Sequence, residues 1–278
     1  MCLCYKISFM QKIFTNQEIQ ISYFDNGAGD IVVLIHGFGE DGRIWRKQAQ
    51  YLSQYFRVIV PDIPGSGGSS ILNKTVVSIE DYASCIHQLI ENIFPNKNTK
   101  ITLLGHSMGG YITLSYAKLF PQKLNGFGLI HSTAFADNEE KKNVRLRGIE
   151  TIKQYGAYSF LRITIPNLFA TDFKQKFPQQ VDELIKQSKQ FTDAALEQYY
   201  VAMMNRTDTT DVLKQAQVPV LFVMGTEDIS APIKDILQQC CLPQQSHIHI
   251  LENVGHMGMM EATEKLNKSM KSFVDLVN

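Results

Sequence analysis

Ser107 lies in Gly105-His106-Ser107-Met108-Gly109, a G-x-S-x-G run. A serine hydroxyl is a poor nucleophile near neutral pH, so it needs a base within hydrogen-bond reach, and that base needs an acid to fix its tautomer. His256, in Gly255-His256-Met257, and Asp228, in Gly225-Thr226-Glu227-Asp228, offer those two groups. The order serine, acid, histidine accompanies the G-x-S-x-G turn. Such a set supports acyl transfer through a covalent acyl-enzyme, and the oxyanion formed on the way needs two N–H donors. Met108 opens the segment after the serine, where a helix dipole would stand behind its amide. Phe38, in His36-Gly37-Phe38-Gly39, offers the second amide, because two glycines at a strand end let the backbone approach a ligand closely.

These residues need elements that hold them. Residues 101–104 are apolar but for Thr102 and end at a glycine, as suits a strand buried on both faces, and 111–120 repeat apolar residues at helical spacing until Pro121. Strand, sharp turn and helix result, with the serine in a strained backbone state that requires Gly105 and Gly109 beside it. Upstream, 11–25 reads as an antiparallel edge hairpin, 31–35 as an interior strand, 44–55 as a helix and 57–60 as a strand. The loop from Pro61 to Ser69 cannot be helical, and Asp62 suits bonding of loop amides. It lacks the lysine and following serine or threonine of a phosphate-binding loop. Residues 78–93 form an amphipathic helix in which Cys85 and His87 suit packing or surface. A strand follows at 126–131, and then strand patterns vanish for about 80 residues. Helices are expected there at 139–155, 158–163, 179–190 and 192–204, broken by Gly156, Pro166 and Pro178. Strands return at 218–225 and 247–251, with helices at 232–240 and 261–277. Alternating strands and helices imply a mostly parallel sheet with helices on both faces, and active groups on such a sheet lie beyond the strand carboxyl ends. His36, Phe38, Ser107, Asp228 and His256 each follow an expected strand.

Composition narrows the function further. The 278 residues hold 27 Lys plus Arg and 27 Asp plus Glu, so no global field favours nucleic acid or an anionic membrane. No apolar run approaches the roughly 18 residues of a membrane span, and residues 1–10 lack a secretory pattern. The expectation is a soluble cytoplasmic protein acting on a small molecule, with oligomeric state left open. Five cysteines and seven histidines show no metal-site spacing, so reduced thiols, no metal and no cofactor are expected. Residues 1–9 carry no evident role and fit a disordered tail upstream of an internal start.

With these motifs in hand, the chain resembles the α/β-hydrolase superfamily over almost all of 12–277. The matching pieces are H-G-F-G at His36, D-I-P-G-S-G-G-S at Asp62, G-H-S-M-G-G at Gly105, G-T-E-D at Gly225 and G-H-M at Gly255. The resemblance implies an α/β-hydrolase fold: a mostly parallel eight-stranded sheet from 1–133 and 211–278, with a helical cap, 134–210, inserted in it. It implies Ser107 as nucleophile, His256 as base, Asp228 as acid, and the Phe38 and Met108 amides as oxyanion hole. Glu227 should point away from the site, and some members place the acid one strand earlier, where Asp137 lies. His106 matches a supporting neighbour of the serine. His36 suits ordering of the oxyanion loop, and with His131, Leu161, Met203, Met204 and Met257 it is a candidate for the substrate pocket.

A serine at the turn argues against haloalkane dehalogenases and epoxide hydrolases, which use aspartate, and dienelactone hydrolases, which use cysteine. The resemblance favours a carboxylesterase for a small or medium acyl ester. Carbon-carbon bond hydrolases, lactonases and perhydrolases share the same triad, and a receptor or sensor that keeps the triad only to bind is the alternative of a different class. Apolar residues of 134–210, among them Phe160, Ile163, Leu168 and Phe169, are expected to roof the pocket and set acyl selectivity.

Overall fold

Continuous runs of Val, Ile and Leu are stable as strands where helices cover both sheet faces, and this is where the chain puts them. The computed structural model describes residues 11–16 and 19–278, so the expected tail at 1–9 lies outside the described residues. Its strands are β1 (Gln11–Thr15), β2 (Gln20–Asn26), β3 (Ile31–Ile35), β4 (Arg57–Pro61), β5 (Ile101–His106), β6 (Leu124–Ile130), β7 (Val220–Gly225) and β8 (Ser246–Leu251). They form one sheet in the order β1-β2-β4-β3-β5-β6-β7-β8. The pairs β1–β2 and β2–β4 are antiparallel and all others are parallel. β5 and β7 are buried throughout, whereas the edge strand β8 leaves Ile248 and Ile250 exposed and His247 and His249 half-buried.

Outside the long connection between β6 and β7, helices α1 (Arg46–Leu52), α2 (Ile79–Ile93) and α3 (Met108–Leu119) precede it. α2 starts where expected because Ser78 and Asp81 close a reciprocal capping box, and its periodic face buries Ile79, Tyr82, Ile86, Leu89 and Ile90. The connection itself carries α4 (Glu139–Tyr155), α5 (Ala157–Thr164), α6 (Thr171–Lys176), α7 (Pro178–Gln187), α8 (Asp193–Asn205) and α9 (Thr210–Lys214). α6 leaves no periodic signal in the sequence, because six residues are too few to establish a helical period. Beyond β7 come α10 (Ile233–Leu237), α11 (Gly258–Glu261) and α12 (Thr263–Val277). Among the described residues no helix is long and apolar enough to cross a membrane.

The helical insert is seated on the loops that leave the strand ends. Tyr199 donates to the Pro64 carbonyl at 2.8 Å, Gln198 to the Leu72 carbonyl at 2.8 Å, and the His256 amide to the Leu168 carbonyl at 2.7 Å. Gln190 also bonds the Asp41 carboxylate. Asp62 holds loop amides as expected, accepting from Gly42 at 2.8 Å and Gly68 at 3.0 Å.

Candidate active site

β5 ends at His106 and α3 begins at Met108, which leaves Ser107 alone in the turn with φ 51° and ψ −116°. A residue with a side chain is strained there by about 1 to 3 kcal/mol, and the surroundings must hold it. They do so from both sides. The Ser107 amide donates to the Ile130 carbonyl at 3.0 Å, and the Ser107 carbonyl accepts from Ser132 Oγ at 2.7 Å and the Gly110 amide at 2.9 Å. A Cβ on Gly105 would lie 2.1 Å from the Gly109 carbonyl oxygen, and one on Gly109 would lie 2.4 Å from the Ile35 carbonyl oxygen. Strand and helix therefore meet through bare backbone, which is why the spacing of the two glycines is tied to the serine.

Asp228 follows β7 and is buried, while its neighbour Glu227 is exposed. Its Oδ1 accepts the amides of Ser230 and Ala231, both at 2.9 Å. Its Oδ2 accepts from two imidazoles, His256 Nδ1 at 2.8 Å and His131 Nδ1 at 3.0 Å. Burial works against the charge on Asp228, but the two imidazoles outweigh it and hold the carboxyl well below the usual range. The histidines respond in opposite directions. Burial also opposes a charge on His256, yet the Asp228 carboxylate raises its pKa, whereas for His131 burial wins and lowers it. A neutral His131 that donates through Nδ1 keeps its Nε2 unprotonated, and that atom is buried without a partner. His131 also has a φ of 50°, and a Cβ on Gly258 would lie 2.3 Å from its Nε2. It is packed tightly behind the acid.

Two further carboxylates organise the surrounding loops. Glu40 is buried; it accepts the Gly37 amide at 2.8 Å and pairs with His106 Nδ1 at 3.0 Å, and His106 Nε2 donates to the His256 carbonyl at 2.9 Å. The loop after β3 is thereby joined to the loop carrying His256. Glu261 accepts the amides of Ala170 at 2.9 Å, Gly255 at 3.2 Å and Met257 at 3.1 Å, which ties that same loop to the helical insert. His36 accepts the Ile63 amide on Nε2 at 3.0 Å and donates from Nδ1 to the Gly37 carbonyl at 2.9 Å, bracing the loop that contains Phe38.

A cavity of about 330 Å³ opens between these loops and the insert. Phe38, Glu40, Ser107 and His256 line it from the sheet side, and Leu161, Ile165, Leu168 and Met203 are among its walls on the insert side. Of the pocket candidates, Leu161 and Met203 line it, while His36, His131, Met204 and Met257 do not. His36 and His131 are fully buried in the hydrogen bonds just described, and Met257 is fully buried in the core. Met204 follows Met203 on α8, and one helical step turns a side chain by about 100° away from its neighbour's direction. Phe160 and Phe169 pack in the core, and Ile163 points to solvent with 64% of its surface exposed. Asp137, the alternative acid, is committed elsewhere: its buried carboxylate pairs with Arg145 at 2.5 Å and Arg206 at 2.9 Å.

The alpha/beta hydrolase fold family matches residues 30–263. The chain belongs to the α/β-hydrolase family. It is 25% identical over 256 residues to (E)-2-((N-methylformamido)methylene)succinate hydrolase of Acinetobacter baylyi, covering 91% of this chain and 93% of that protein. It is 29% identical over 262 residues to Lipase 1 of Psychrobacter immobilis, covering 90% of this chain and 79% of that protein. Among solved structures, a thermophilic esterase from Thermogutta terrifontis, with malate bound, superposes with a TM-score of 0.89 at 26% identity, covering 96% of this chain and 99% of that one. The enol-lactonase of Burkholderia xenovorans superposes with a TM-score of 0.86 at 18% identity, a likeness of fold alone, covering 95% and 100%.

Within this α/β-hydrolase, Glu40, Glu261 and the second imidazole on Asp228 escaped sequence reasoning. Glu40 had a weak signal, a carboxylate three residues beyond Gly37 in a loop that must stay irregular. His131 had none, since one histidine at a strand end looks the same whether it faces a pocket or a carboxylate. The ligand atoms of His131, Asp228 and His256 lie within 4.8 Å of one another, the one such group among the described residues. Linear spacing does not reveal it. In the hydrogen-bonded arrangement both Nδ1 atoms are donors to Oδ2, so a cation there would have to displace both protons.

Proposed function

We propose that this α/β-hydrolase is a carboxylesterase for small or medium acyl esters that works through an acyl-enzyme on Ser107. The observation that carries this reading is the Asp228–His256 hydrogen bond of 2.8 Å at a cavity shared by His256 and Ser107. His256 gives Nδ1–H to Asp228 and keeps Nε2 as the nitrogen able to take the serine proton. Attack on the ester carbonyl forms a tetrahedral oxyanion. Its donors are the amides of Phe38 and Met108; the latter is the first residue of α3, so no intrahelical carbonyl can take its N–H. His256 returns the proton to the leaving alcohol, then activates water to release the acid and regenerate Ser107. No cofactor or metal takes part in this sequence. The helical insert acts as a cap over the pocket, its apolar walls choosing the acyl chain. A lipase and an esterase among the similar proteins favour ester hydrolysis within the family.

Purified protein offered acyl esters and lactones of graded size tests this reading. Multiple turnovers on acyl esters are expected. Thermal stabilisation by the same compounds with no more than one turnover would mark a binding protein instead.

A further inference from the structure

The roof of the cavity is not purely apolar. Lys141 and Arg145, four residues apart on one face of α4, both line it, as do Tyr111 and Tyr200. Arg145 belongs to a cluster in which one carboxylate serves two guanidinium groups. Asp137, with a fully buried side chain, takes Arg145 Nε at 2.5 Å and Arg206 at 2.9 Å, and those two arginine side chains are only 18% and 7% exposed. Arg206 also donates to the carbonyls of Met203 at 2.7 Å and Phe135 at 2.9 Å and lies 3.8 Å from the Tyr111 ring centre. The cluster therefore carries one positive charge in excess. Lys141 is half-buried, and no hydrogen bond or ion pair of its ammonium is found among the described residues. The nearby Glu139 is taken by Lys142 at 2.9 Å. Glu40, the one carboxylate lining the cavity, lies on the opposite side, where the Gly37 amide and His106 hold it. Buried or half-buried charge is costly unless matched; here Arg145 shares its one carboxylate, Asp137, with Arg206, and Lys141 faces the cavity with no anion of its own among the described residues.

We propose that the substrate carries a carboxylate on the part that lies under the helical insert, and that Lys141 binds it with Arg145 in support. This rests on the hydrolase reading for the reaction but not for the binding. Tyr200, another residue of that wall, keeps its hydroxyl protonated, since burial pushes it up to about 12 against the pull of Arg145. A carboxylate-bearing ester would thus be held by its charge at the roof and attacked at the floor.

Two ester pairs that differ in charge but share a skeleton probe this subsite: monomethyl against dimethyl glutarate, with the charge on the acyl side, and 4-acetoxybenzoate against its methyl ester, with the charge on the alcohol side. Lys141→Met keeps the apolar stem and Lys141→Glu reverses the charge. Lys141→Met should lower kcat/KM for the charged member of at least one pair by about tenfold, mostly through KM, and leave the neutral member within about twofold. Lys141→Glu should enlarge that loss, and added salt should shrink the wild-type advantage. Calorimetry with Ser107→Ala and Ser107→Ala/Lys141→Met proteins gives a reading that needs no turnover: the charged ester should bind the first more tightly than the second. Equal losses for charged and neutral esters, or equal binding by both proteins, would overturn the carboxylate subsite. Absence of turnover together with Lys141-dependent binding would instead sink the hydrolase reading and leave the subsite standing.

Discussion

Asp228, Glu40 and Glu261 hold the floor of the cavity by accepting hydrogen bonds from backbone amides and imidazoles, whereas the side chains of Leu161, Ile165, Leu168 and Met203 on the roof have no directional partner to satisfy. On the floor, each group has one geometry in which its neighbours are satisfied, and a displaced atom leaves a buried polar group unpaired. On the roof, side chains of similar volume can replace one another at modest cost. A change in the floor should therefore affect every substrate alike, and a change in the roof should alter the choice among substrates.

The largest effects belong to the floor. Ser107→Ala or His256→Ala should each lower kcat by about four to six orders of magnitude on every ester, and the double variant should lose little more because the two act as one unit. Steady-state kinetics on short and long esters check this; additive losses, or losses confined to one ester, would erase the distinction between floor and roof.

Next comes the acid limb of the pH profile. His256 must be neutral to accept a proton, and Asp228 raises its pKa, so kcat/KM should fall as pH drops through a value above the ordinary histidine range of about 6.5. His131→Phe removes one donor from Asp228 Oδ2. The carboxylate then holds a charged His256 more strongly, and the limb should move to higher pH, with a loss of stability of about 1.5 to 3 kcal/mol. A limb that stays in place in a folded variant would make His131 mere packing.

Much of the floor was legible because chemistry restricts residue types. Only a glycine fits at Gly105 and Gly109; Ser107 and Asp228 occur in short runs after the buried strands β5 and β7, and His256 in one after the edge strand β8. The sheet was equally legible, since parallel strands buried on both faces read as unbroken apolar runs. The roof was not. Apolar residues on short helices look alike whether they face ligand or core, so Leu161 and Met203 could not be told from Phe160 and Met204, and the pairing of Asp137 with Arg145 and Arg206 depends on a loop, α4 and the residue after α8 meeting in space.

A smaller effect is expected when the roof is changed. Leu161→Ala and Met203→Ala should shift the acyl length at which kcat/KM peaks, worth about 1 to 3 kcal/mol per fitted methylene, while leaving the acid limb of the pH profile unmoved. A length profile identical to wild type in both variants would detach the insert from substrate choice. The smallest effect is none: EDTA should leave ester hydrolysis unchanged, and activity that returned only with added zinc would make the His131–Asp228–His256 group a metal site.

The floor is expected to activate one serine, Ser107. Intact-protein and peptide mass spectrometry after brief exposure to a fluorophosphonate reads this directly, because only an activated hydroxyl reacts fast. One adduct per chain, located on Ser107, lost in Ser107→Ala, greatly slowed in His256→Ala and unaffected in Met203→Ala, is the predicted result. An adduct on another residue, or none on the folded wild-type protein, would contradict it.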